Sequence, residues 1–105
     1  MPHIVIQSIS LVNNQITVLF DQVWYQEDII KLRQLLLNSI PNLSIKEVII
    51  GADIESIRFQ WSNTEFIVQF DYYSQSCWFD TQDSNSESGT QDLFNLLTHN
   101  KKHYV

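Results

Sequence analysis

Few side chains in this 105-residue chain are of a type that carries out reactions, so their spacing decides the matter. Cys77 is the sole cysteine, set between Ser76 and Trp78 with no basic neighbour in sequence to lower its thiol pKa. A lone cysteine makes neither an internal disulfide nor a cysteine-based zinc site. In a strand it reads as a small buried hydrophobe. His99 and His103 stand four apart, which on a helix puts both imidazoles on one face. No third ligand lies near them in sequence, and chain ends fray, so they read as two solvated histidines. Gly51 and Gly89 are too far apart to build a phosphate-cradling loop. The expectation is a chain that is not an enzyme and that holds no metal and no cofactor.

The carboxylates are the remaining chemical feature. The chain has 12 acidic and 6 basic side chains, for a formal charge of −6. From Glu47 to Asp92 there are nine carboxylates and one basic residue, Arg58, whereas residues 1–46 carry three of each sign. A catalytic pair of carboxylates needs a pocket in which one is desolvated. These acids fall mostly at turns or at outward strand positions, where water keeps them ordinary. An acidic surface that supplies solubility explains much of the excess.

The elements that must position these groups follow from apolar periodicity. Residues 4–12 and 15–20 alternate as strands around Asn13-Asn14, and asparagine tolerates the left-handed backbone of a two-residue hairpin loop. That loop pairs Leu11 with Ile16 and Ile9 with Val18. Tyr25, Ile29, Leu32, Leu36 and Ile40 recur at helical spacing, which predicts a helix over 25–40 that Pro41 ends. Residues 45–50 read as a third strand, broken by Gly51-Ala52-Asp53. Two alternating runs then flank Asn63-Thr64, pairing Trp61 with Phe66, Phe59 with Val68 and Ile57 with Phe70. Residues 76–81 make a last strand after Ser74-Gln75, with Phe70 opposite Phe79 and Tyr72 opposite Cys77. Residues 81–89 are polar and predict a mobile loop, and Ser88 with Gln91 predicts the capping box of a short final helix bearing Leu93, Phe94, Leu96 and Leu97. The predicted fold class is α+β: a mainly antiparallel sheet of about six strands, in the order β-β-α-β-β-β-β-α, with two helices on one face. Length predicts a single domain over 1–105.

Two helices cover one face of such a sheet. In this register the other face of the last hairpin sets Asp71 opposite Trp78 and Gln69 opposite Asp80, with Ile67 and Tyr73 alongside. Aromatics with fixed charges on an open face have the makeup of a protein-binding hot spot. The alternative is that the final helix or another segment covers Trp78, since large aromatics are mostly buried. Nucleic acid is an unsuitable partner, because binding it depends on Lys and Arg. Anionic membranes are disfavoured by the same sign of charge. A basic protein is the complementary partner, and the field of the acidic half would speed its encounter.

In size, in the acidic half, and in the stretch from Phe70-Asp71-Tyr72-Tyr73 through Ser74-Gln75-Ser76-Cys77 to Trp78-Phe79-Asp80, the chain resembles small acidic bacterial immunity proteins. These neutralise toxin domains, including those of contact-dependent inhibition systems. The resemblance implies a tight one-to-one complex with a basic toxin domain, a nuclease, and assigns no residue a role. From the charge and the mixed face, the expected partner-binding residues are Asp71, Tyr73, Trp78 and Asp80, with Asp83 and Glu87 in the adjoining loop. A second reading is a non-enzymatic adaptor, or a homodimer in which Trp78 and Tyr73 meet their own copies. The N-terminus lacks a basic region and an unbroken apolar run, which reads as no signal peptide, and nothing approaches the apolar length of a membrane span. With one cysteine, the expected compartment is the cytoplasm.

Overall fold

Alternation of apolar and polar side chains along a strand gives it one face for a core and one for water. The computed structural model describes residues 4–81 and 87–101. Its elements are β1 (Ile6–Val12), β2 (Gln15–Phe20), α1 (Ile29–Leu37), β3 (Ser44–Ile50), β4 (Ile54–Trp61), β5 (Thr64–Asp71), β6 (Ser76–Thr81) and α2 (Glu87–Lys101). The six strands form one sheet in the order β1-β2-β6-β5-β4-β3, and every neighbouring pair is antiparallel. This is the expected α+β architecture. The connection through α1 carries the chain from β2 to the far edge, and the meander β3 to β6 walks back until β6 pairs with β2.

One face of the sheet supplies Ile16, Val18, Ile57, Phe59, Phe66, Val68, Phe70, Cys77 and Phe79, all fully or almost fully buried. Ile29, Leu32 and Leu36 of α1 and Leu93 and Leu97 of α2 join the same apolar cluster, so both helices lie on that face. Each large side chain removed from water contributes about 1.5–3 kcal/mol. The rings also order one another: Phe59 stacks on Phe66 at 5.5 Å and meets Phe79 edge-on at 6.0 Å. Arg33 of α1 reaches Glu55 at the start of β4 (3.4 Å), while α2 lies over β1 and β2. Gly89 lets α2 approach the sheet, since a Cβ there would stand 2.6 Å from Thr64 Oγ1.

The first hairpin has the register its sequence predicts: Leu11 pairs with Ile16, Ile9 with Val18, and Asn13 and Asn14 take φ of 52° and 62°. The next two hairpins are each displaced by two residues from the predicted pairing. Phe59 pairs with Phe66 and Ile57 with Val68, because the tight loop is Ser62-Asn63 (φ 52° and 62°) rather than Asn63-Thr64. The reason is steric: a two-residue hairpin turn of this kind needs positive φ twice, and a β-branched threonine resists it. In the last hairpin Phe70 pairs with Cys77 and Val68 with Phe79. Residues 72–75 form a longer turn with only Gln75 left-handed, φ 58°. A shift of two keeps every side chain on its predicted face and changes only its neighbours.

The helix predicted over 25–40 is shorter. A 3-10 turn, Gln26–Asp28, precedes α1, and Tyr25 lies ahead of it and is half exposed, although Ile29, Leu32, Leu36 and Ile40 are buried as their spacing predicts. After Leu37 the chain turns through Ser39, whose hydroxyl donates to the Leu36 carbonyl (2.7 Å), and Asn42, φ 59°. Ser88, the predicted cap of the last helix, is inside α2, which already includes Glu87. Residues 82–86 of the predicted polar loop, Asp83 among them, lie outside the described residues.

The turn argument has a direct check. Ser62→Val forces a β-branched side chain into the left-handed region and is expected to cost ~1–2 kcal/mol in urea unfolding, whereas Ser62→Gly is expected to cost nothing or to stabilise.

Candidate protein-docking site

Three of the four tyrosines gather at one end of the sheet. The connections after β2, between β3 and β4, and between β5 and β6 all emerge there, because the antiparallel order sends those strand ends the same way. Trp24, almost wholly buried, is the base of this end: its ring meets Phe20 and Phe70 edge-on, each at 6.3 Å. The Gln75 side chain ties the connections together. Its Oε1 accepts from the Trp24 N–H (3.0 Å), and its Nε2 donates to the carbonyls of Trp24 (2.7 Å) and Tyr72 (2.8 Å). The Tyr72 N–H donates to the Asp53 carbonyl (3.1 Å), bringing in the third connection.

On this base Tyr25 and Tyr73 are presented outward, while Tyr72 is half-buried against the core. Asp71 Oδ1 accepts from the backbone N–H groups of Tyr73 (3.0 Å) and Ser74 (3.2 Å), which fixes the turn from which the Tyr73 side chain projects, 80% exposed. The Tyr25 N–H donates to Asp28 Oδ2 (2.8 Å) and its ring lies 6.4 Å from that of Tyr72. Tyr72, Tyr73 and Gln75 line a hollow of about 270 Å³. Exposed Val23 and the exposed carboxylates Asp21, Glu27 and Asp53 belong to the same loops and turns. Aromatic side chains on a backbone fixed by hydrogen bonds lose little conformational freedom on binding, which suits them to a docking surface.

The sheet face away from the helices is the other open surface, and among the described residues no helix packs on it. Trp78 is half buried there, opposite Gln69 and Thr17, and Asp80 is opposite Ile67. The predicted opposition of Asp71 with Trp78 is replaced by Asp71 with Ser76, a result of the longer turn. Trp78 Nε1 donates to Asp80 Oδ2 (2.9 Å) and Gln15 Nε2 to Oδ1 (2.9 Å), so both carboxylate oxygens are engaged within the chain. Arg58 similarly binds Glu47 (2.6 Å) and Glu65 (2.9 Å), and these carboxylates raise its already high pKa, Glu65 foremost. Of the expected residues, then, Trp78 and Asp80 are together on the open face. Asp71 shapes the turn that carries Tyr73 at the sheet's end. Glu87, exposed at the start of α2 near Thr64, lies a strand's length from Asp71, at the other end of β5.

Comparison with known proteins adds a family. Residues 7–99 match the family described as "Protein of unknown function (DUF3630)". The chain belongs to that family. No curated protein and no solved structure matches it.

The sequence of this DUF3630 chain hid two of the three tyrosines. Helical spacing put Tyr25 on the buried side of a helix, and the shorter predicted turn put Tyr72 opposite Cys77. A compositional signal existed for Tyr72 and Tyr73, which lie between Asp71 and Ser74, and none for Tyr25, which lies between Trp24 and Gln26. Among the described residues of this DUF3630 chain no group of three or more His, Cys, Asp or Glu is placed to hold a metal ion. His99 is exposed on α2, and His103 lies outside the described residues. Cys77 is fully buried in the sheet, and burial pushes its thiol pKa far up from its ordinary 9.0. The neutral thiol is thus favoured in the folded state, and this preference stabilises the fold fully below that ordinary value. Above it the unfolded thiol ionises and the stabilisation is lost as pH rises. Unfolding free energy is expected to fall by up to about 1.4 kcal/mol per pH unit more steeply in wild type than in Cys77→Ala once the pH passes 9.0. Gln75→Ala is expected to lower stability by about 1–3 kcal/mol in denaturant titration, because it strands the buried backbone groups of Trp24.

Proposed function

We propose that this chain is a non-enzymatic protein-binding domain that docks a basic partner through the tyrosine end of its sheet. In the form implied by its resemblance to immunity proteins, it neutralises a basic toxin domain, a nuclease, in a one-to-one complex in the cytoplasm. The observation that carries the reading is Tyr73, 80% exposed on a turn fixed by the Asp71 carboxylate and the Gln75 amide. Tyr73 does not stand alone: exposed Tyr25, whose ring lies 6.4 Å from that of Tyr72, and exposed Val23 belong to the same end of the sheet, and a patch of that makeup suits a covering surface. Exposed Glu27 and Asp53 around the tyrosines and the formal charge of −6 favour a partner of positive sign. Asp21, Asp71 and Asp80 add to the field, but their side chains accept hydrogen bonds from the chain itself. The compartment rests on Cys77, whose thiol is free and buried, so that the fold uses no disulfide. No helix among the described residues is long and apolar enough to cross a membrane.

Calorimetry against the product of the neighbouring reading frame tests the reading. The expected result is one-to-one binding that weakens with added salt and loses at least about 2 kcal/mol, roughly thirtyfold, in Tyr73→Ala. Tyr25→Ala is expected to weaken it as well, and Trp78→Ala less than either. Unchanged affinity in Tyr73→Ala and Tyr25→Ala, or a partner with no excess of basic residues, would falsify the proposed surface.

A further inference from the structure

The β3 edge of the sheet is a second surface, independent of the tyrosine end. Every residue of Ser44–Ile50 is exposed, including Ile45 (50%), Val48 (41%), Ile49 (46%) and Ile50 (71%). Only β4 pairs with this strand among the described residues, so its other side presents unpaired backbone groups. Proteins guard such edges with charges, prolines and bulges. Here the guards are confined to the first half of the strand, as Lys46, Glu47 and a bulge between Ile45 and Glu47. Val48-Ile49-Ile50 has none.

The hydrogen-bond phase of the strand is fixed by its turn. The Gly51 N–H donates to the Ile54 carbonyl (2.9 Å), and in an antiparallel ladder the residues facing the partner strand alternate. Ile49 and Glu47 therefore direct their backbone groups to β4, and Val48 and Ile50 direct theirs outward. We infer that Val48–Ile50 pairs with the same segment of a second copy of this chain, antiparallel about a twofold axis at Ile49. In that register Val48 and Ile50 of opposite chains exchange both backbone hydrogen bonds, and Ile49 faces its own copy across the axis. Apolar pairs then form on both faces of the joined sheet. An axis at Glu47 would instead set like charges opposite each other. The choice of a second copy over a charged partner rests on the local balance of sign. Lys46 and Glu47 are one of each, and Glu47 is already matched by Arg58. The edge thus offers a strongly basic or acidic partner no handle, while a copy brings the same apolar strip and the same backbone complement.

Sedimentation equilibrium over a rising concentration series, with two cysteine variants, tests this. Wild type is expected to dimerise. Val48→Pro removes an outward N–H and leaves the bonds to β4, and Ile50→Lys charges the strip. Each is expected to weaken the dimer at least tenfold with an unchanged circular dichroism spectrum. Should Val48→Pro fail to fold, Ile50→Lys decides. Ile49→Cys is expected to form a disulfide-linked dimer under mild oxidation, because the axis brings the two positions together. Lys46→Cys is expected to stay monomeric on a non-reducing gel, and the buried native Cys77 does not compete. A wild type that is monomeric throughout, a dimer that neither variant weakens, or cross-linking of Lys46→Cys as readily as of Ile49→Cys would overturn the inference. The last outcome would mean a different register, and monomers that instead capture an extended peptide on β3 would mean a different occupant.

Discussion

Closure of the sheet from one side is the constraint on which the rest of this molecule depends. Phe59, Phe66, Phe70, Phe79 and Cys77 all point to the same side of β4, β5 and β6, and both helices are spent covering them. Nothing among the described residues remains to cover the second face or the β3 edge. The open face is accordingly stitched within itself, by Asp80 to Trp78 and Gln15 and by Arg58 to Glu47 and Glu65. Those contacts pair both Asp80 oxygens and two of the three Arg58 nitrogens, leaving Arg58 Nε buried without a partner, and the net energy of each is modest.

The sequence was most legible where one physical rule decides alone. Which side each strand buries follows from alternation, and it survives even where the pairing is wrong. Ile57, Phe59, Phe66, Val68, Phe70 and Phe79 are all core residues, although their cross-strand partners differ from those predicted. Pairing depends on which residues occupy a turn, and there local preferences compete. Asn13-Asn14 admits one solution. Ser62-Asn63 and Asn63-Thr64 are neighbouring solutions separated only by the strain a β-branched residue feels at positive φ. The turn before β6 is harder still, because its geometry depends on a contact distant in sequence, Gln75 with Trp24. No local pattern announces that contact.

The same contact explains why the tyrosine end was only partly legible. Tyr73 and Asp71 were legible as outward residues of the last hairpin. Tyr25 and Tyr72 join them only once the loop after β2 is tied to the turn before β6. The negative charge of the second half is also less of a single patch than counting suggests. Glu55 is paired with Arg33, Glu47 and Glu65 share Arg58, and Asp71 and Asp80 serve their own turns and strands. What distinguishes the tyrosine end is a rigid platform beneath exposed rings, a property of tertiary structure rather than of composition.

The seam between β2 and β6 has a consequence for how the chain reaches this structure. Every other strand pair joins consecutive strands, whereas Thr17 meets Trp78 and Val18 meets Cys77 only after most of the polypeptide has been gathered in. The entropy of closing so large a loop is recovered only when the whole meander is in place. This junction, with the packing of α2 over β1, spans the largest sequence separations in the fold, and contacts of that kind slow folding. The Gln75–Trp24 clasp sits at the end of that junction, so the surface that presents the tyrosines depends on the same long-range pairing that completes the sheet.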